Sequence, residues 1–304
     1  SVPVGTIYDL PQTIKEGEGK SVYPMQLAQG STFNGFFNNY DGLASGLQPI
    51  GVKYDDASRK VVCTLEQDDI MDGLNWLHKW YQDGIINPDA NVVTDGGKGS
   101  IFGSAQGWPA AATTWAFNQG IEKYDLTQVF GPLYTTETIQ GSMNAISANS
   151  KYKTEALKVL QLMNTDPKFR DMCAYGTEGN YMEYAEDGTV QKLRDDWNWP
   201  SYTQGTFFIL STQADGDPDA WNQVKEQNES ATSSTCLGFA LDVTNIQNEI
   251  ANCNTVWDKY KNDLLTGASD PATAVPACIE ELKAAGLDTV IEEAQKQVDE
   301  FFAN

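Results

Sequence analysis

The residues of this chain best suited to chemistry are its aromatic side chains. There are eight Trp and 13 Tyr residues, several of them beside small or polar neighbours. Trp108 precedes a proline, Trp115 follows two threonines, and residues 197–202 read Trp-Asn-Trp-Pro-Ser-Tyr. Such rings suit sugars, because a pyranose has apolar C–H faces while its hydroxyls need paired donors and acceptors. Packing in a core is the alternative for each Trp, and the sequence leaves both open.

A second pattern resembles a calcium-binding loop. Acidic residues occupy positions 1, 3, 5 and 12 of an EF-hand count, at Asp215, Asp217, Asp219 and Glu226. The sixth position should be glycine and is Ala220, and Pro218 lies inside the loop. The sequence therefore favours a helix that begins here, with Asp217 as N-cap and Pro218 as first helical residue. Calcium remains a weak alternative.

Other kinds of site are excluded or disfavoured. With His78 as the single histidine, the chain cannot form a multi-histidine metal site or the HExxH motif of metalloproteases. We expect His78 to be a partly exposed surface residue. The five cysteines are widely spaced and form no CxxC, so we expect buried apolar thiols. Residues 96–100 are glycine-rich but lack the spacing of a phosphate-binding loop.

Composition limits the class of protein. The 304 residues carry 42 acidic and 20 basic side chains, a formal net charge of −22. That charge disfavours nucleic acid and anionic lipid as partners, since both need clustered Lys and Arg. A content of 40% hydrophobic residues excludes a wholly disordered chain, and the length suggests about two domains.

Helical periodicity and capping residues predict where these side chains are held. Apolar spacing and flanking Ser, Asp, Pro or Gly residues predict helices at about 68–84, 150–163, 166–176, 246–267, 270–286 and 287–302. Strand-like segments are expected at 129–134 and 141–146, and the first 60 residues are read as short strands and loops. We expect three segments, 1–130, 131–235 and 236–304.

An ordered series of motifs then resembles a known family. The sequences YQDGIINPD (81–89), GKGSIF (97–102) and GW (107–108) resemble extracellular solute-binding proteins of family 1. YGTEGNY (175–181) and LGFALD (237–242) are similar to motifs of its Gram-positive lipoprotein subfamily. Single motifs of this length are weak, but their order over residues 60–304 is specific.

The resemblance implies a fold and a binding role. It implies an α/β, two-lobed fold of periplasmic-binding type II with a helical C-terminal region, in which residues 1–130 form a second-lobe segment and 131–235 return to the first lobe. It also implies a substrate-binding component of an ABC importer that captures a small solute, most simply a carbohydrate, in an interlobe cleft for a membrane permease. No enzyme activity and no cofactor are expected. The ligand-binding residues expected on this basis are Trp108 and Trp115 with Phe33 and Asn34 on one side, and Glu178, Trp197, Trp199 and Tyr202 on the other.

The start of the chain departs from the family pattern. Family members begin with a lipidated cysteine and an α/β segment that nothing here matches, so one lobe is expected to be incomplete. The resemblance implies an extracellular lipoprotein on the surface of a Gram-positive bacterium, anchored through that absent segment. A truncated lobe should expose apolar surface and tend to associate. Two alternatives remain: a non-transport sensor or adhesion module, and a carbohydrate-active hydrolase, which would need two closely spaced carboxyl groups.

Overall fold

The chain divides into two compact units. In the computed structural model, the described residues are 4–18, 23–95, 101–109, 111, 115, 126–194, 196, 197, 199 and 203–303, with side chains from residue 9 onward except residue 18. Unit 1 comprises Ser1–Gln106, Thr127–Glu137 and Ser233–Asn304, and unit 2 comprises Gly107–Leu126 and Thr138–Thr232. The chain passes between the units four times, so these boundaries differ from the three consecutive segments expected from sequence. Which lobe each unit represents stays a prediction.

Helices dominate the described part of the chain. They are α1 Val4–Glu18, α2 Asp68–Gln82, α3 Thr136–Ile139, α4 Lys153–Thr165, α5 Pro167–Tyr175, α6 Ala220–Glu229, α7 Gln247–Leu265, α8 Pro271–Ala284 and α9 Leu287–Phe302. Two short 3-10 helices span Gly35–Asn39 and Thr64–Glu66. The predictions for α2, α5, α7, α8 and α9 are confirmed. None of these helices is long and apolar enough to span a bilayer, as far as the described residues go.

The strands are short, and those with a described register are antiparallel. Strands β1 Tyr40–Asp41, β2 Ile50–Lys53 and β3 Val62–Cys63 form a three-stranded sheet in that order. Strand β4 Leu133–Tyr134 pairs with β7 Thr232–Ser233, and β5 Met182–Tyr184 forms a hairpin with β6 Val190–Lys192. The strand expected at 141–146 is absent, because this described segment has irregular backbone and pairs with no other described strand.

Helix α1 was not expected from the sequence, which we read there as strands and loops. Pro11 lies inside the helix. A proline inside a helix removes a backbone donor and costs about 3 kcal/mol, so pattern reading argues against a helix there. The Lys15 ammonium donates to the Gly84 carbonyl just beyond α2, which ties this helix to the body of unit 1.

The core of unit 1 lies between the three-stranded sheet and helices α2, α7, α8 and α9. The apolar stripe of α7, including Ile250, Cys253, Trp257 and Leu264, is buried in it. The Trp257 indole also donates to the Gln48 side-chain carbonyl at 3.1 Å, as a buried Trp usually requires. The periodicity that predicted α7 is therefore the periodicity of its buried face.

His78 has a structural role in unit 1. It is half-buried on α2, and its Nδ1 lies 2.8 Å from the carbonyl oxygen of Gly267, at the end of α7. The Gln82 amide lies 3.2 Å from its Nε2. Both ring nitrogens therefore lie within hydrogen-bond distance of a polar group of the protein. The partly exposed histidine expected from sequence is confirmed, and its contact with Gly267 adds a structural role that the sequence did not indicate.

The core of unit 2 is smaller. Tyr175 at the end of α5, Met182 on β5, Val190 on β6 and Leu210 form its buried cluster. Asp166 caps α5 by accepting a hydrogen bond from the Phe169 amide at 3.0 Å, and Pro167 follows as first helical residue. This cap was predicted from the Asp-Pro pair, and it fixes the first residue of α5, whose last residue Tyr175 belongs to the cluster.

Helix α4 buries less apolar surface than its sequence led us to expect. The expected apolar face was Ala156, Leu157, Leu160 and Met163, yet only Met163 is buried and Leu157 is 59% exposed. The expected Ser150 cap is also displaced, because the helix begins at Lys153 and the Ser150 hydroxyl accepts from the Tyr152 amide instead. Val159 and Leu162 are exposed as well, so apolar surface is concentrated on this helix. Association through it stays a prediction.

Thiol labelling should separate the cysteines by burial. Cys63, Cys236, Cys253 and Cys278 are buried, and Cys173 is half-buried. Burial raises the thiol pKa to about 11 for Cys63 and to about 12 for Cys278, since thiolate is disfavoured away from water. At pH 8 we expect a thiol reagent to label Cys173 first and the other four only after unfolding in guanidinium. Rapid labelling of two or more thiols in the native protein would contradict this expectation.

Candidate functional site

An aromatic column runs out from the core of unit 2. Trp221 on α6 stacks on Phe207 with ring centroids 4.8 Å apart at 16°, and both rings pack on the buried cluster. Phe207 stacks on Trp108 at 6.5 Å and 22°, and Trp108 meets Trp115 edge-on at 6.0 Å and 76°. Phe207 and Trp115 therefore both contact Trp108, and each of the two Trp residues remains partly exposed. The column thus combines packing at its inner end with half-buried indoles at its outer end.

A second aromatic group is more exposed. We call Asn180, Tyr181, Arg194, Asp196 and Trp197 the Trp197 patch. Trp197 is 36% exposed, and its ring lies 5.4 Å from the Tyr181 ring at 55°. The Arg194 guanidinium lies 4.6 Å above the centre of the Tyr181 ring and forms an ion pair with Asp196. An accessible indole thus lies within a group of polar side chains.

Helix α5 anchors this patch. The Trp197 indole N–H donates to the Cys173 carbonyl at 3.1 Å, in the last turn of α5. Helix carbonyls in the last turn have no partner within the helix, so this bond satisfies one of them and fixes the ring. Glu178 lies on the turn that follows the helix, and its side chain is exposed. The patch therefore has a rigid base and an open surface.

A buried polar network holds α5 against the rest of unit 2. Asp171 is 1% exposed and accepts from the Ser211 amide at 2.9 Å, the Ser211 hydroxyl at 2.8 Å and the Tyr184 hydroxyl at 2.9 Å. Burial and the bond to Asp171 raise the pKa of Tyr184 above its usual value. The neighbouring Arg170 is fully buried, and its Nε donates to the Thr206 carbonyl at 3.0 Å. These contacts connect α5 with β5 and with the segment that carries Phe207.

Charge at the surface of the patch is balanced. The Arg194 Nε donates to Asp196 Oδ1 at 2.9 Å, and its Nη2 donates to Oδ2, so the two planar groups face one another. This bond to the guanidinium lowers the pKa of the Asp196 carboxyl, which stays ionised at neutral pH. Arg194 Nη1 also approaches Asn180 Oδ1 at 3.4 Å. The side chains can offer hydroxyl groups both donors and acceptors.

The structure groups the expected ligand residues differently from the sequence analysis. Trp108 and Trp115 belong to unit 2, together with Glu178, Trp197 and Trp199. Tyr202 lies outside the described residues. The indole N–H of Trp199 is buried and has no hydrogen-bond partner among the described residues.

Phe33 and Asn34 were expected beside Trp108 and Trp115, but they belong to unit 1. Phe33 packs edge-on against Trp80 at 5.9 Å and 83°, in a buried cluster with Ile86. The Asn34 side chain is exposed, and its carbonyl accepts from the Phe37 amide in a turn. Their local contacts indicate packing and turn formation, and a role of either residue in ligand binding stays a prediction.

The acidic loop at 215–226 is built as a helix start. Asp217 Oδ1 accepts from the Asp219 amide at 2.9 Å, and its Oδ2 accepts from the Gln223 side chain at 2.6 Å. The helix begins at Ala220, two residues later than expected, with Asp219 as N-cap. Among the described residues no three His, Cys, Asp or Glu side chains are grouped to hold a metal, so Asp215, Asp217, Asp219 and Glu226 are not brought together as calcium ligands.

Sequence reasoning missed most of the polar residues around Trp197. It named Trp197 but not Asn180, Tyr181, Arg194 or Asp196. One signal was available: Arg194 and two aspartates directly precede Trp197, which places opposite charges beside an indole in a loop. The contribution of Tyr181 and Asn180 depends on the turn after α5 and could not be read from local sequence.

Comparison with known proteins identifies the class to which this chain is similar. Residues 235–303 match a family model described as a domain of unknown function (DUF3502). A curated relative from Streptococcus pneumoniae serotype 4, named carbohydrate ABC transporter substrate-binding protein, is 27% identical over 283 residues. That alignment covers 88% of this chain and 57% of the relative, so the chain spans little more than half of the relative's length.

Solved structures give the same class. The N-glycan transport solute binding protein NgtS from Streptococcus pneumoniae matches with a TM-score of 0.83 and 25% identity, over 99% of this chain and 68% of NgtS. A solute-binding protein from Bifidobacterium longum infantis, described as HMO binding, matches at 0.54 and 15% identity over 98% and 70% of the two chains, which supports the fold alone.

These findings confirm the resemblance noted from sequence. The chain is similar to carbohydrate solute-binding proteins of ABC transporters, and its fold is the α/β, two-lobed fold of that class, rich in helices. Of the two solved structures described above, NgtS matches this chain with the higher TM-score. NgtS has been crystallised with Man1GlcNAc and with Man5GlcNAc.

Proposed function

We propose that this chain is the substrate-binding component of an ABC importer and that it captures a carbohydrate for a membrane permease. The observation that carries the proposal is the match to NgtS over 99% of the chain at a TM-score of 0.83. The curated relative, named as a carbohydrate-binding transport component, supports it. Capture at the outer face of the membrane by a lipid-anchored protein, with permease subunits as partners, belongs to the same proposal.

The chemistry of unit 2 supports sugar as the solute. Five of the eight Trp residues belong to unit 2, and the Trp197 ring lies exposed beside an Arg–Asp pair. Aromatic faces with a few polar groups are what a sugar site needs, whereas an enzyme would also need an activated acid or nucleophile. We propose Trp108, Trp115, Glu178, Trp197 and Trp199 as ligand-binding residues, and leave Phe33 and Asn34 out because of their contacts.

A thermal-shift screen of the full mature protein tests this function. The ligands would be mono- and oligosaccharides, Man5GlcNAc among them, with short peptides as controls. A ligand at 100 times its Kd should stabilise the folded protein by about 2.7 kcal/mol, because it binds only the folded state. A concentration-dependent rise in Tm with one glycan class, and no released product by chromatography, is the expected result. A rise with peptides alone would reject the sugar, glycan turnover would favour a hydrolase, and no response would favour a sensor or adhesion module.

A further inference from the structure

We propose that the Trp197 patch is a subsite for one neutral pyranose residue. The Trp197 ring would carry the apolar face of the sugar, and the Arg194–Asp196 pair with Asn180 would bind its hydroxyls. This inference rests on the proposed function and deepens it, because it assigns a position, a set of contacts and a charge preference to the ligand.

Contacts within the protein hold the Trp197 ring in place. Its indole N–H is engaged by the Cys173 carbonyl at 3.1 Å, and Tyr181 contacts the ring from one side. These contacts restrict the ring, while 36% of the residue is exposed. A platform already fixed in its bound orientation loses little entropy on binding. A Trp that served only packing would not need to be both fixed and exposed.

The polar groups beside the ring match the hydroxyl pattern of a sugar. Arg194 and Asp196 face one another through two hydrogen bonds, with side chains that are 45% and 54% exposed. Arg194 Nη1 also lies 3.4 Å from Asn180 Oδ1, so the side-chain amide of Asn180 adjoins the Arg194–Asp196 pair. Guanidinium N–H groups donate, carboxylate oxygens accept, and an amide does both. Neighbouring hydroxyls, each a donor and an acceptor, can bind across such a group.

Charge favours a neutral sugar. The positive charge of Arg194 is neutralised by Asp196, and Glu178 adds an exposed negative charge on the adjoining turn. The whole chain has a formal charge of −22. A uronic or sialic acid would bring its carboxylate towards the carboxylates of Asp196 and Glu178 while Arg194 is already paired, and repulsion of this kind selects against it.

Calorimetric titration of the full mature protein with the glycan that gives the largest thermal shift tests the subsite. Trp197→Ala should weaken binding by about tenfold to a hundredfold, as loss of an aromatic anchor does. Arg194→Lys, which keeps the charge but not the planar fork, should weaken it by about tenfold. Leu193→Ala is the matched control, because Leu193 is exposed, apolar and adjacent in sequence. It should bind within about twofold of the parent, since the Leu193 side chain is not among the proposed contacts and exposed substitutions have small effects.

Trp197→Phe keeps the test decisive if the alanine variant unfolds. It retains an aromatic face and removes the bond to Cys173, so a stacking role predicts affinity within about fivefold of the parent. A carboxylated analogue of the same glycan should bind more weakly to the parent protein. Parent-like affinity in folded Trp197→Ala would overturn the subsite and leave the proposed function intact. Failure of the parent to bind any glycan would instead overturn the proposed function.

Discussion

Substitution of Gly267 by alanine should destabilise unit 1 by about 4 kcal/mol. Gly267 has a φ of +79° and ends α7 where the chain passes directly against α2. A Cβ there would lie 2.2 Å from the carbonyl oxygen of Leu77 and 3.1 Å from the amide of His78. Both neighbours are helix backbone, which cannot move aside as a side chain can. The contact would also disturb the hydrogen bond between His78 Nδ1 and the Gly267 carbonyl.

Gly30→Ala is the matched control for the Gly267 substitution. Gly30 lies in a turn of unit 1 with a φ of +77°, and a Cβ at this position would meet nothing within 4 Å. Its substitution should cost only the left-handed backbone strain, about 1 kcal/mol. Urea unfolding monitored by hydrogen exchange within α2 and α7 measures both. Equal losses in the two variants would show that backbone strain, and not the approach of the two helices, requires glycine at 267.

The C-terminal helices could be predicted because their signals are local. Asp270 caps α8 by accepting from the Ala272 amide, and Gly286, with a φ of +109°, directly precedes α9. Caps and apolar spacing are properties of a few consecutive residues, so they can be recognised without knowledge of the rest of the fold. The same reasoning did not predict helix α1. Its internal proline argues locally against a helix, whereas the bond from Lys15 to Gly84 that anchors it joins residues far apart in sequence.

Errors arose wherever a prediction depended on a distant partner. Residues 141–146 have strand-like sequence, but a strand needs a neighbouring strand, and among the described residues none pairs with them. The apolar residues of α4 predicted a buried face, yet burial requires a surface to pack against, and Leu157 is exposed. Phe33 and Trp108 belong to different units, and whether they share a ligand stays a prediction.

Part of the candidate site could be predicted from sequence because its signal is local, and the rest could not because it depends on distant contacts. Trp197 was recognisable because polar residues flank it in the sequence. Its contact with Tyr181 and its bond to Cys173 join segments on either side of the β5–β6 hairpin, so no local pattern contains them. The motif YGTEGNY was recognised only as a family signature. In the structure these residues form the turn that brings Asn180 and Tyr181 next to Arg194.

Removal of the Asp171 carboxylate should destabilise unit 2 by about 3–5 kcal/mol. Asp171→Ala would leave the Ser211 amide, the Ser211 hydroxyl and the Tyr184 hydroxyl without their acceptor. It would also remove a negative charge that attracts the fully buried Arg170, whose pKa is already lowered by burial. Asp171→Asn keeps the shape and one acceptor, and hydroxyl groups can rotate to accept from its amide, so about half of that loss is expected.

Asp187→Ala separates burial from hydrogen bonding as the source of the Asp171 effect. Asp187 lies in the same unit and also accepts from a backbone amide and a hydroxyl, both of Thr189, but it is exposed at the tip of the β5–β6 hairpin. Water can replace its lost bonds, so its substitution should cost far less than Asp171→Ala. Denaturant unfolding followed by Trp fluorescence suits the comparison, since five of the eight indoles belong to unit 2.

Because the Trp197 patch is anchored on α5, Asp171→Ala should also weaken glycan binding, whereas Asp187→Ala should leave it unchanged. Loss of stability without loss of affinity would show that the patch does not depend on how α5 is held.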